Sequence, residues 1–269
     1  MKKTTPTSKI KPPVSYYGGK QTMLRHILPL IPKHTLYAEV FCGGAALFWA
    51  KEPSSIEVIN DINGEVSNFY RVLKRYPKEL EMMVNETMHS RKSYEDAIVI
   101  YNNPHLFTEV KRAWAFWVAC NQSYTSKIGA GWGYERKDKN RCAITVDEKR
   151  KRFTEYYAER LSRVSVECRD ARKIIKSRDT IDSFFYCDPP YPDTHQGHYS
   201  GYSVADFISL LNVLKGIEGK FLLSSYPLPE LTEYCKENGW HQLEFDKTIS
   251  AANHKKRKTE VLTTNYSLN

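Results

Sequence analysis

The sequence predicts an α/β protein with a mostly parallel sheet of about seven strands that closes with a β-hairpin. Short apolar segments rich in β-forming residues alternate with amphipathic helical segments through most of the 269 residues. This alternation is typical of parallel sheets with helical crossovers. It breaks once, where about a hundred residues separate the second and third strands. A crossover needs far fewer residues, so we expect an inserted, mostly helical subdomain there.

Seven segments are predicted to be strands because they are short, apolar and rich in β-branched or aromatic residues. The first five are separated mostly by helical segments, such as 204–215 and 229–238. The last two have no helical segment between them, so we expect a closing hairpin with a basic loop at 254–258. The predicted strands are 36–41, 55–60, 164–168, 184–187, 220–225, 240–245 and 259–265.

The breaks in the pattern divide the chain into three predicted regions. Residues 1–13 are rich in Lys, Thr and Pro and are expected to form a basic flexible tail. Residues 14–69 and 164–269 form the main α/β domain, and residues 70–163 form the inserted subdomain. Amphipathic periodicity predicts helices at 63–74, 109–121 and 147–163, and it places Trp114 and Trp117 in the core.

The charge is unevenly distributed along the chain. The net charge is +9, from 40 Lys and Arg against 31 Asp and Glu. Residues 127–178 hold 16 basic and 8 acidic residues, and residues 1–20 hold five lysines and no acid. A concentrated basic excess favours a polyanionic partner, because Lys and Arg neutralise phosphates. Most of this excess falls in the predicted insertion.

Several classes of protein are disfavoured by the composition. The six cysteines show no C-x-x-C pair, which predicts free thiols in a reducing cytosol. There is no secretory h-region and no run of 18 apolar residues, so a cytoplasmic protein without a membrane span is expected. His195 and His198 lie three residues apart, but further ligands are missing, so we expect a mobile lid there and no metal.

The sequence Asp188-Pro189-Pro190-Tyr191 directly follows the strand 184–187. Open α/β sheets bind ligands at the carboxyl ends of their strands. A carboxylate and a backbone carbonyl that accept both N–H bonds of an aromatic amine would return electron density to its nitrogen. Asp188 supplies the carboxylate, Pro189 the carbonyl, and Tyr191 could stack on a base. The alternative is an ordinary strand-ending turn with a surface Asp.

Three further motifs lie near predicted strand ends or in turns. The segment 39–45 (EVFCGGA) has small residues that allow a ligand to approach the backbone closely, or it forms a tight strand–helix turn. Asp61, in Asn60-Asp61, could bind both hydroxyls of a ribose or cap the following helix. The segment 16–20 (YYGGK) could wrap an anionic ligand or form a flexible turn.

The order of six motifs, YYGGK, EVFCGG, NDIN, DPPY, LLSSY and TEVLTTNY, resembles the Dam-like, alpha-group N6-adenine DNA methyltransferases. The resemblance covers about residues 14 to 267. It implies a Rossmann-like methyltransferase sheet and transfer of a methyl group from S-adenosylmethionine to adenine N6 in double-stranded DNA, which leaves S-adenosylhomocysteine. It also implies base flipping without a metal, and it makes the insertion a DNA target-recognition subdomain. A monomer or weak dimer with no obligate protein partner is expected. A restriction-modification setting is one possibility, and the residues do not choose between it and a replication-marking or phage-protective role.

The resemblance assigns roles to individual residues. The segment 129–134 would belong to a DNA-probing hairpin. Independently of the resemblance, Arg136 and Arg141 are candidates for guanine contacts, because Arg binds the guanine edge in the major groove. The expected catalytic residues are Asp188, Pro189, Pro190 and Tyr191. The expected donor-binding residues are Tyr16, Tyr17, Gly18, Gly19, Lys20, Glu39, Phe41, Cys42, Gly43, Gly44, Asp61, Ile62, Asp170, Ala171 and Asp188. The expected DNA-binding residues are Ser123, Tyr124, Lys127, Trp132, Arg136, Lys137, Arg141, Lys255, Lys256, Arg257 and Lys258.

One position departs from the family pattern, and three alternatives remain at this point. Ala45 stands where the glycine motif usually has a third Gly, and we expect its methyl group to be tolerated in a first helical turn. The target amine could belong to cytosine N4 or to another acceptor. The chain could also be a DNA-binding relative without catalysis. A nicotinamide oxidoreductase is disfavoured because the full G-x-G-x-x-G pattern is missing.

Overall fold

The structure, a computed structural model, describes residues 10–135, 141–192, 201–248 and 257–268. The strands are β1 (Leu36–Glu39), β2 (Ile56–Asn60), β3 (Val164–Glu167), β4 (Ser183–Cys187), β5 (Lys220–Ser225), β6 (His241–Thr248) and β7 (Arg257–Thr264). The α-helices are α1 (Leu24–Ile27), α2 (Ala46–Ala50), α3 (Gly64–Arg75), α4 (Pro77–Asn85), α5 (Arg91–Asn102), α6 (Glu109–Gln122), α7 (Cys142–Arg152), α8 (Tyr156–Leu161), α9 (Ala171–Arg178), α10 (Val204–Lys215) and α11 (Pro229–Asn238).

The strands form one seven-stranded sheet in the order β3-β2-β1-β4-β5-β7-β6. Strands β1 to β5 pair in parallel, whereas β7 runs antiparallel to both β5 and β6. The predicted α/β class, the seven strands and the closing hairpin are therefore confirmed. Strand β6 continues to Thr248, beyond the predicted end at residue 245. It does so because the pairing with β7 extends to Thr248 and Arg257.

One predicted helix was wrong in its extent. The segment 147–163 was expected to form a single helix, but α7 ends at Arg152 and α8 begins at Tyr156. Phe153, between them, has an extended backbone, with φ −77° and ψ 97°. Its ring is buried against the rings of Trp117 and Tyr157. The chain leaves the helix at Phe153, and the aromatic side chain is buried there.

The sheet is covered on both faces, and side chains alternate between the two cores as the pleat requires. In β4, Phe184 and Tyr186 belong to one hydrophobic cluster, while Phe185 and Cys187 belong to the other. The second cluster is formed with α9, α10 and α11. Within the described parts of the chain, no helix combines the length and the apolar character that a bilayer span requires.

The helices of the predicted insertion share one hydrophobic core with the first face of the sheet. Phe116 and Trp117 of α6 lie fully buried in the same cluster as Tyr37 of β1 and Leu222 of β5. This packing excludes Trp117 from the protein surface, as predicted. The boundaries at residues 69 and 164 remain a prediction. The chain already contacts the protein before residue 14, because the Tyr157 hydroxyl donates a hydrogen bond to the carbonyl of Lys11.

Asn60, the last residue of β2, connects the carboxyl ends of three strands. Its side-chain amide donates to the carbonyls of Val40 (2.9 Å) and Arg169 (3.0 Å), and its oxygen accepts from the backbone N–H of Arg169 (2.9 Å). Asn60 is only 1% exposed. The segments that follow β1 and β3 are thereby held beside the end of β2.

We predict that Asn60→Ala lowers the free energy of unfolding by about 3 kcal/mol, because three hydrogen bonds at a buried position are lost. Urea unfolding followed by circular dichroism measures this change. The matched control is Asn103→Ala, which removes one exposed hydrogen bond to Val99 and should change stability by less than about 0.5 kcal/mol. Equal effects of the two substitutions would contradict the role assigned to Asn60.

Candidate active site and recognition surface

The predicted site residues come together at the carboxyl edge of the sheet. The chain runs from β1 to β2 on one side, whereas β4 pairs with β1 on the other side. A crevice opens where the strand order reverses in this way, and open sheets bind ligands there. Glu39 ends β1, Asp61 follows β2 and Asp188 follows β4. Three acidic residues therefore lie at the same edge of the sheet, and two of them, Glu39 and Asp188, line a cavity there.

Lys20 lies between two carboxylates in this crevice. Its Nζ is 2.6 Å from Oδ1 of Asp188 and 3.5 Å from Oε1 of Glu260. The side chains of Lys20 and Glu260 are 6% and 2% exposed, and that of Asp188 is 18% exposed. Burial alone would lower the pKa of Lys20, but Asp188, Tyr191 and Glu260 raise it above its usual range. Lys20 is therefore held as a cation that two acids share.

Tyr191 is part of the same buried network. Its hydroxyl donates to Oε1 of Glu260 (3.2 Å) and lies 3.3 Å from the hydroxyl of Ser224, which also donates to Glu260 (2.8 Å). The ring lies against Tyr226, at 4.2 Å between ring centres, and the ammonium of Lys20 lies 5.1 Å from its centre. Tyr191 is therefore firmly fixed in orientation.

The glycine segment after β1 fits closely against the YYGGK loop. Gly43 has a φ of +45°, and a Cβ atom there would lie 2.7 Å from the ring of Tyr16. No side chain can occupy this position without moving Tyr16. Ala45 does not lie in the first helical turn, as expected, but precedes α2 in the left-handed conformation, with φ 51° and ψ 45°. Such a backbone costs an alanine about 1 kcal/mol, which explains why glycine is favoured there.

Asp61 holds the glycine segment in place and does not cap α3. Its carboxylate accepts hydrogen bonds from the backbone N–H groups of Gly43 and Asn63, each at 2.9 Å. The residue that caps α3 is Asn63, whose side chain accepts from the N–H of Glu65. The helix-cap alternative for Asp61 is therefore wrong. Asp61 is 2% exposed and fixes the turn between β1 and α2 against the end of β2.

Glu39 is a buried acid whose protonation is sensitive to its surroundings. Burial raises its pKa to about 8, although hydrogen bonds from the Tyr37 hydroxyl (2.7 Å) and the Phe48 N–H (2.8 Å) partly offset this rise. Both bonds go to the same carboxylate oxygen, Oε2. At neutral pH most Glu39 side chains are protonated, and a cation nearby would favour their ionisation.

Two adjoining cavities occupy the crevice and share Phe41 and Pro190 in their walls. The main cavity has a volume of about 700 Å³ and the second about 330 Å³. Both sizes are typical of small-molecule sites. The main cavity is bordered by the 16–20 loop, the glycine segment and the Asp188 tetrapeptide, so the structure brings three sequence motifs to one space.

The second cavity has apolar walls with polar groups at its edge. Ile62 lines it although its side chain is 63% exposed. Asp170 caps α9 through the N–H of Arg172 (2.8 Å) and pairs with the Arg172 guanidinium, which lowers the pKa of Asp170. The Tyr202 hydroxyl is buried in this wall and finds no hydrogen-bond partner among the described residues. A ligand with a polar edge would satisfy it.

The segment after α6 folds back on itself as a hairpin-like turn. Tyr124 N–H donates to the carbonyl of Gly131 (2.8 Å), and residues 123 and 132 form an antiparallel bridge. Tyr124 is exposed, and Lys127 lies over the ring of Tyr17, 5.9 Å from its centre. Ser123, in contrast, is buried and donates to the Tyr94 hydroxyl, so it supports the turn from inside.

Stacked aromatic rings and a guanidinium border this turn. The ring of Trp132 stacks on His89 (4.7 Å between ring centres) and on Tyr134 (5.7 Å). The guanidinium of Arg91 lies 4.9 Å from the Trp132 ring and 5.6 Å from the Tyr134 ring. No local sequence pattern marks His89 or Arg91, because their contacts with Trp132 join residues about forty positions apart in the chain.

Some predicted DNA-binding residues cannot be placed on this surface. Arg136, Lys137, Lys255 and Lys256 lie outside the described residues, as do His195 and His198. Arg257 and Lys258 begin β7, but only their backbone is described. Arg141 is exposed and immediately precedes α7.

Several residues that line the cavities have no role among those predicted from the sequence. Glu260 lies in the TEVLTTNY motif and Tyr226 in the LLSSY motif, but the motifs did not indicate a function for either residue. Tyr186 has a buried hydroxyl without a partner among the described residues and lines the main cavity. No sequence pattern indicated that Tyr202 or Lys149 would line a cavity, because each reaches its cavity only through tertiary packing.

Comparison with known proteins adds independent information. A family model described as D12 class N6 adenine-specific DNA methyltransferase matches residues 16–259. The Type II methyltransferase M1.LlaDCHI of Lactococcus lactis subsp. cremoris is 28% identical over 96% of both chains. The DNA N-6-adenine-methyltransferase of Escherichia phage P1 is 25% identical over 83% of this chain and 31% of its own length. The Type II methyltransferase M.FokI of Planomicrobium okeanokoites is 25% identical over 97% of this chain and 43% of its own length. The chain therefore spans nearly all of the first relative but less than half of the other two.

We predict that Lys20→Met lowers the free energy of unfolding by about 3 kcal/mol, because two carboxylates at the crevice lose their shared cation. Urea unfolding measures the loss. Adding Glu260→Gln to Lys20→Met should restore part of the stability, since it removes one uncompensated charge. The control Lys92→Met breaks an exposed ion pair with Asp96 and should leave the unfolding midpoint nearly unchanged. An additive loss in the double variant would contradict the shared network.

Proposed function

Because the chain belongs to the D12 class N6 adenine-specific DNA methyltransferase family, we propose that S-adenosylmethionine supplies the methyl group that this enzyme transfers to N6 of an adenine flipped out of duplex DNA. The observation that carries the proposal is the convergence of Lys20, Glu39, Gly43 and Asp188 around one cavity, with a second cavity adjoining it.

The paired cavities fit the donor's shape and chemistry. The exposed side chain of Ile62 and the ring of Phe41 would cover the adenine ring of the donor in the second cavity. The partnerless hydroxyl of Tyr202 and the carboxylate of Asp170 would hydrogen bond with the edge of that ring. The methionine part would lie in the main cavity near Glu39 and Gly43. Asp61, whose carboxylate accepts from the N–H of Gly43, would bind the ribose. When bound, the donor supplies an electrophilic methyl group on a positively charged sulfur.

Asp188 and the Pro189 carbonyl would orient the target amine. An adenine must leave the base stack to expose its N6 atom to a catalytic cavity. Once in the main cavity, its two N–H bonds would be donated to Asp188 and to the Pro189 carbonyl, whose direction the proline ring restricts. This arrangement would localise the nitrogen lone pair for in-line attack on the methyl group, with no covalent enzyme intermediate. Most of the acceleration would come from the positioning of the two reactants.

The Lys20 network would tune the charge of the site. Asp188 and Glu260 share one lysine, so the three side chains carry a net charge of −1 when both acids are ionised. A small negative excess favours a cationic donor and the positive charge that the amine gains during transfer. Lys20 also makes the carboxylate form of Asp188 favourable. Tyr191, fixed through Glu260, and the neighbouring Tyr226 would form an aromatic wall for the base.

The turn after α6 is the proposed DNA-recognition surface. Tyr124 is exposed, and Trp132 with Tyr134 and Arg91 presents aromatic and cationic groups side by side. Arg guanidinium groups bind phosphates and guanine edges, and aromatic rings stack on unpaired bases. We propose that double-stranded DNA is read here and by Arg136, Lys137 and Arg141. The basic loop 254–258 would contact phosphates near the flipped base.

The proposed biological setting follows from the relatives. Two of them are named Type II methyltransferases, which supports a restriction-modification setting for this chain. We propose that it acts in the cytoplasm as a monomer or weak dimer and uses no metal. Among the described residues, no group of three or more His, Cys, Asp or Glu side chains is arranged to hold a metal ion.

We predict that Asp188→Ala lowers methyl transfer at least a hundredfold, because the charged acceptor of the amine is lost, while DNA binding changes little. The measurement is transfer of labelled methyl from S-adenosylmethionine to duplex DNA, followed by nucleoside analysis. Asp96→Asn, at an exposed carboxylate on α5, is the control and should retain full turnover.

The nucleoside product decides between the target bases. Label in N6-methyladenine with the wild-type protein supports the proposal, and label in N4-methylcytosine would replace the proposed target. Normal turnover of Asp188→Ala would overturn the proposed mechanism. If the wild-type protein bound no donor, a DNA-binding relative without catalysis would be favoured instead.

We predict that donor binding releases a proton near neutral pH. The free Glu39 side chain has a pKa of about 8, and only its ionised form pairs with the ammonium group of the donor. Donor affinity should therefore rise about tenfold per pH unit from pH 6 towards 8 and then level off. Isothermal titration calorimetry in buffers of different ionisation enthalpy counts the protons. Glu39→Gln should remove both the release and the pH dependence, and a flat wild-type profile would argue against this role for Glu39.

A further inference from the structure

Lys149, near the end of α7, has a partly buried ammonium group that lines the main cavity. Its Nζ donates to the Ser15 hydroxyl at 2.6 Å and to Oδ1 of Asn121 at 2.7 Å. Both partners are neutral. Burial, together with the charge of Arg152, lowers the pKa of Lys149 to about 8.

An ammonium group has three donors, and only two of them are used here. In the described parts of the chain, no carboxylate forms an ion pair with Lys149 or with Arg152, which lies one turn further along α7 and is exposed. Arg152 and Lys11 line the same cavity. Two neighbouring cations without an acid repel each other, and an anion bound between them would relieve that repulsion.

The main cavity therefore has opposite charges on two of its walls. Its strand-end wall carries three acids, Glu39, Asp188 and Glu260, with Lys20 between the last two. Among the described residues, the charged side chains that α7 and the chain near residue 11 contribute to the cavity are all basic. A nucleotide has the same polarity, since its base bears a hydrogen-bond-donating amine and its backbone bears an anionic phosphodiester. The cavity is continuous between the two walls, so one nucleotide could satisfy both.

The position of the cationic wall favours the DNA backbone as its ligand. Asn121, which holds Lys149, lies at the end of α6, directly before the proposed recognition turn. Thr125 and Ser126 of that turn line the cavity beside Lys149 and Arg152. The cations therefore line the same cavity as the proposed recognition turn, and Arg152 is exposed.

We propose that Lys149 and Arg152 bind the phosphodiester adjoining the target adenosine and so hold the flipped nucleotide by its backbone while Asp188 holds its base. The proposal rests on the proposed function and extends it to two residues that no sequence motif contains. The other anion that could reach this wall is the carboxylate of the methyl donor, and the experiment below separates the two.

The test uses the full chain and a duplex oligonucleotide that carries the methylation site mapped by sequencing. Three duplexes are compared: one with natural phosphates, and two with a single uncharged methylphosphonate on the 5′ or the 3′ side of the target adenosine. Fluorescence anisotropy at pH 7 gives the Kd for wild type, Arg152→Gln, Lys149→Met and the control Lys151→Gln. Lys151 lies between the two cations, but it is exposed and pairs with Asp147. Calorimetry gives the donor Kd for each protein.

We expect Arg152→Gln and Lys149→Met each to weaken binding of the natural duplex about tenfold and to reduce the slope of log affinity against log salt by about 1. Lys151→Gln should have a clearly smaller effect. One of the two methylphosphonates should weaken wild-type binding by a similar factor and have little further effect on either cavity variant. Donor affinity should remain at the wild-type value in Arg152→Gln.

Two outcomes would overturn the proposal. In the first, the methylphosphonate weakens DNA binding by Arg152→Gln and by Lys149→Met as much as it weakens binding by the wild-type protein. Neither residue would then contact that phosphate. A weaker donor Kd in Arg152→Gln, with an unchanged DNA Kd, would assign the cations to the donor carboxylate. Because Arg152 is exposed, its substitution tests the proposal even if Lys149→Met unfolds. Failure of the proposed function is a separate result, since sequencing of DNA treated with the wild-type protein would then map no methylated adenine.

Discussion

The arrangement of the candidate site depends on the buried ammonium of Lys20, which two carboxylates share. Asp188 belongs to the tetrapeptide after β4, and Glu260 to the antiparallel strand β7. Without the lysine, two like charges would face each other in a space that excludes most water, and one of them would have to become neutral. Since Glu260 also accepts from the Tyr191 hydroxyl, the ion pair fixes an aromatic ring as well as a carboxylate. One cation therefore sets both the charge and the shape of the wall that would face a base.

Lys20 reaches this position only because the loop that carries it is held at several points. Tyr16 packs so closely on Gly43 that no Cβ atom fits between them. Gly43 in turn donates its N–H to Asp61, and Ser15 is hydrogen bonded by Lys149 and Asn121. The YYGGK loop is thus connected to the ends of β1 and β2 on one side and to α6 and α7 on the other. Any ligand that moves this loop would therefore act on the proposed donor site and on the proposed recognition turn together.

The sequence predicted the parts of this architecture that depend on local pattern, and it missed those that depend on distant contacts. Strand β5 and helices α10 and α11 have the predicted bounds, because hydrophobic periodicity is strong in these segments. The break between α7 and α8 was not predictable, since Phe153 leaves the helix to meet rings from α6 and α8. The motif acids were found at strand ends, as their positions in the sequence required. The role of Glu260 was missed, because it follows from a strand order that no local pattern encodes.

That strand order explains why the closing hairpin belongs to the site. Had β6 paired with β5, the chain would have placed β7 at the sheet edge, away from the crevice. Instead β7 lies between β5 and β6, where Val261 pairs with Ser225 and Leu262 with Ser224. The residue before them, Glu260, therefore emerges beside Tyr191 and the hydroxyl of Ser224. Strand β7 runs in the opposite direction to β4, and it places the buried acid Glu260 at the carboxyl edge of the parallel strands. The parallel strands supply residues that would contact the ligands. The hairpin supplies Glu260, whose ion pair and hydrogen bond orient Lys20 and Tyr191.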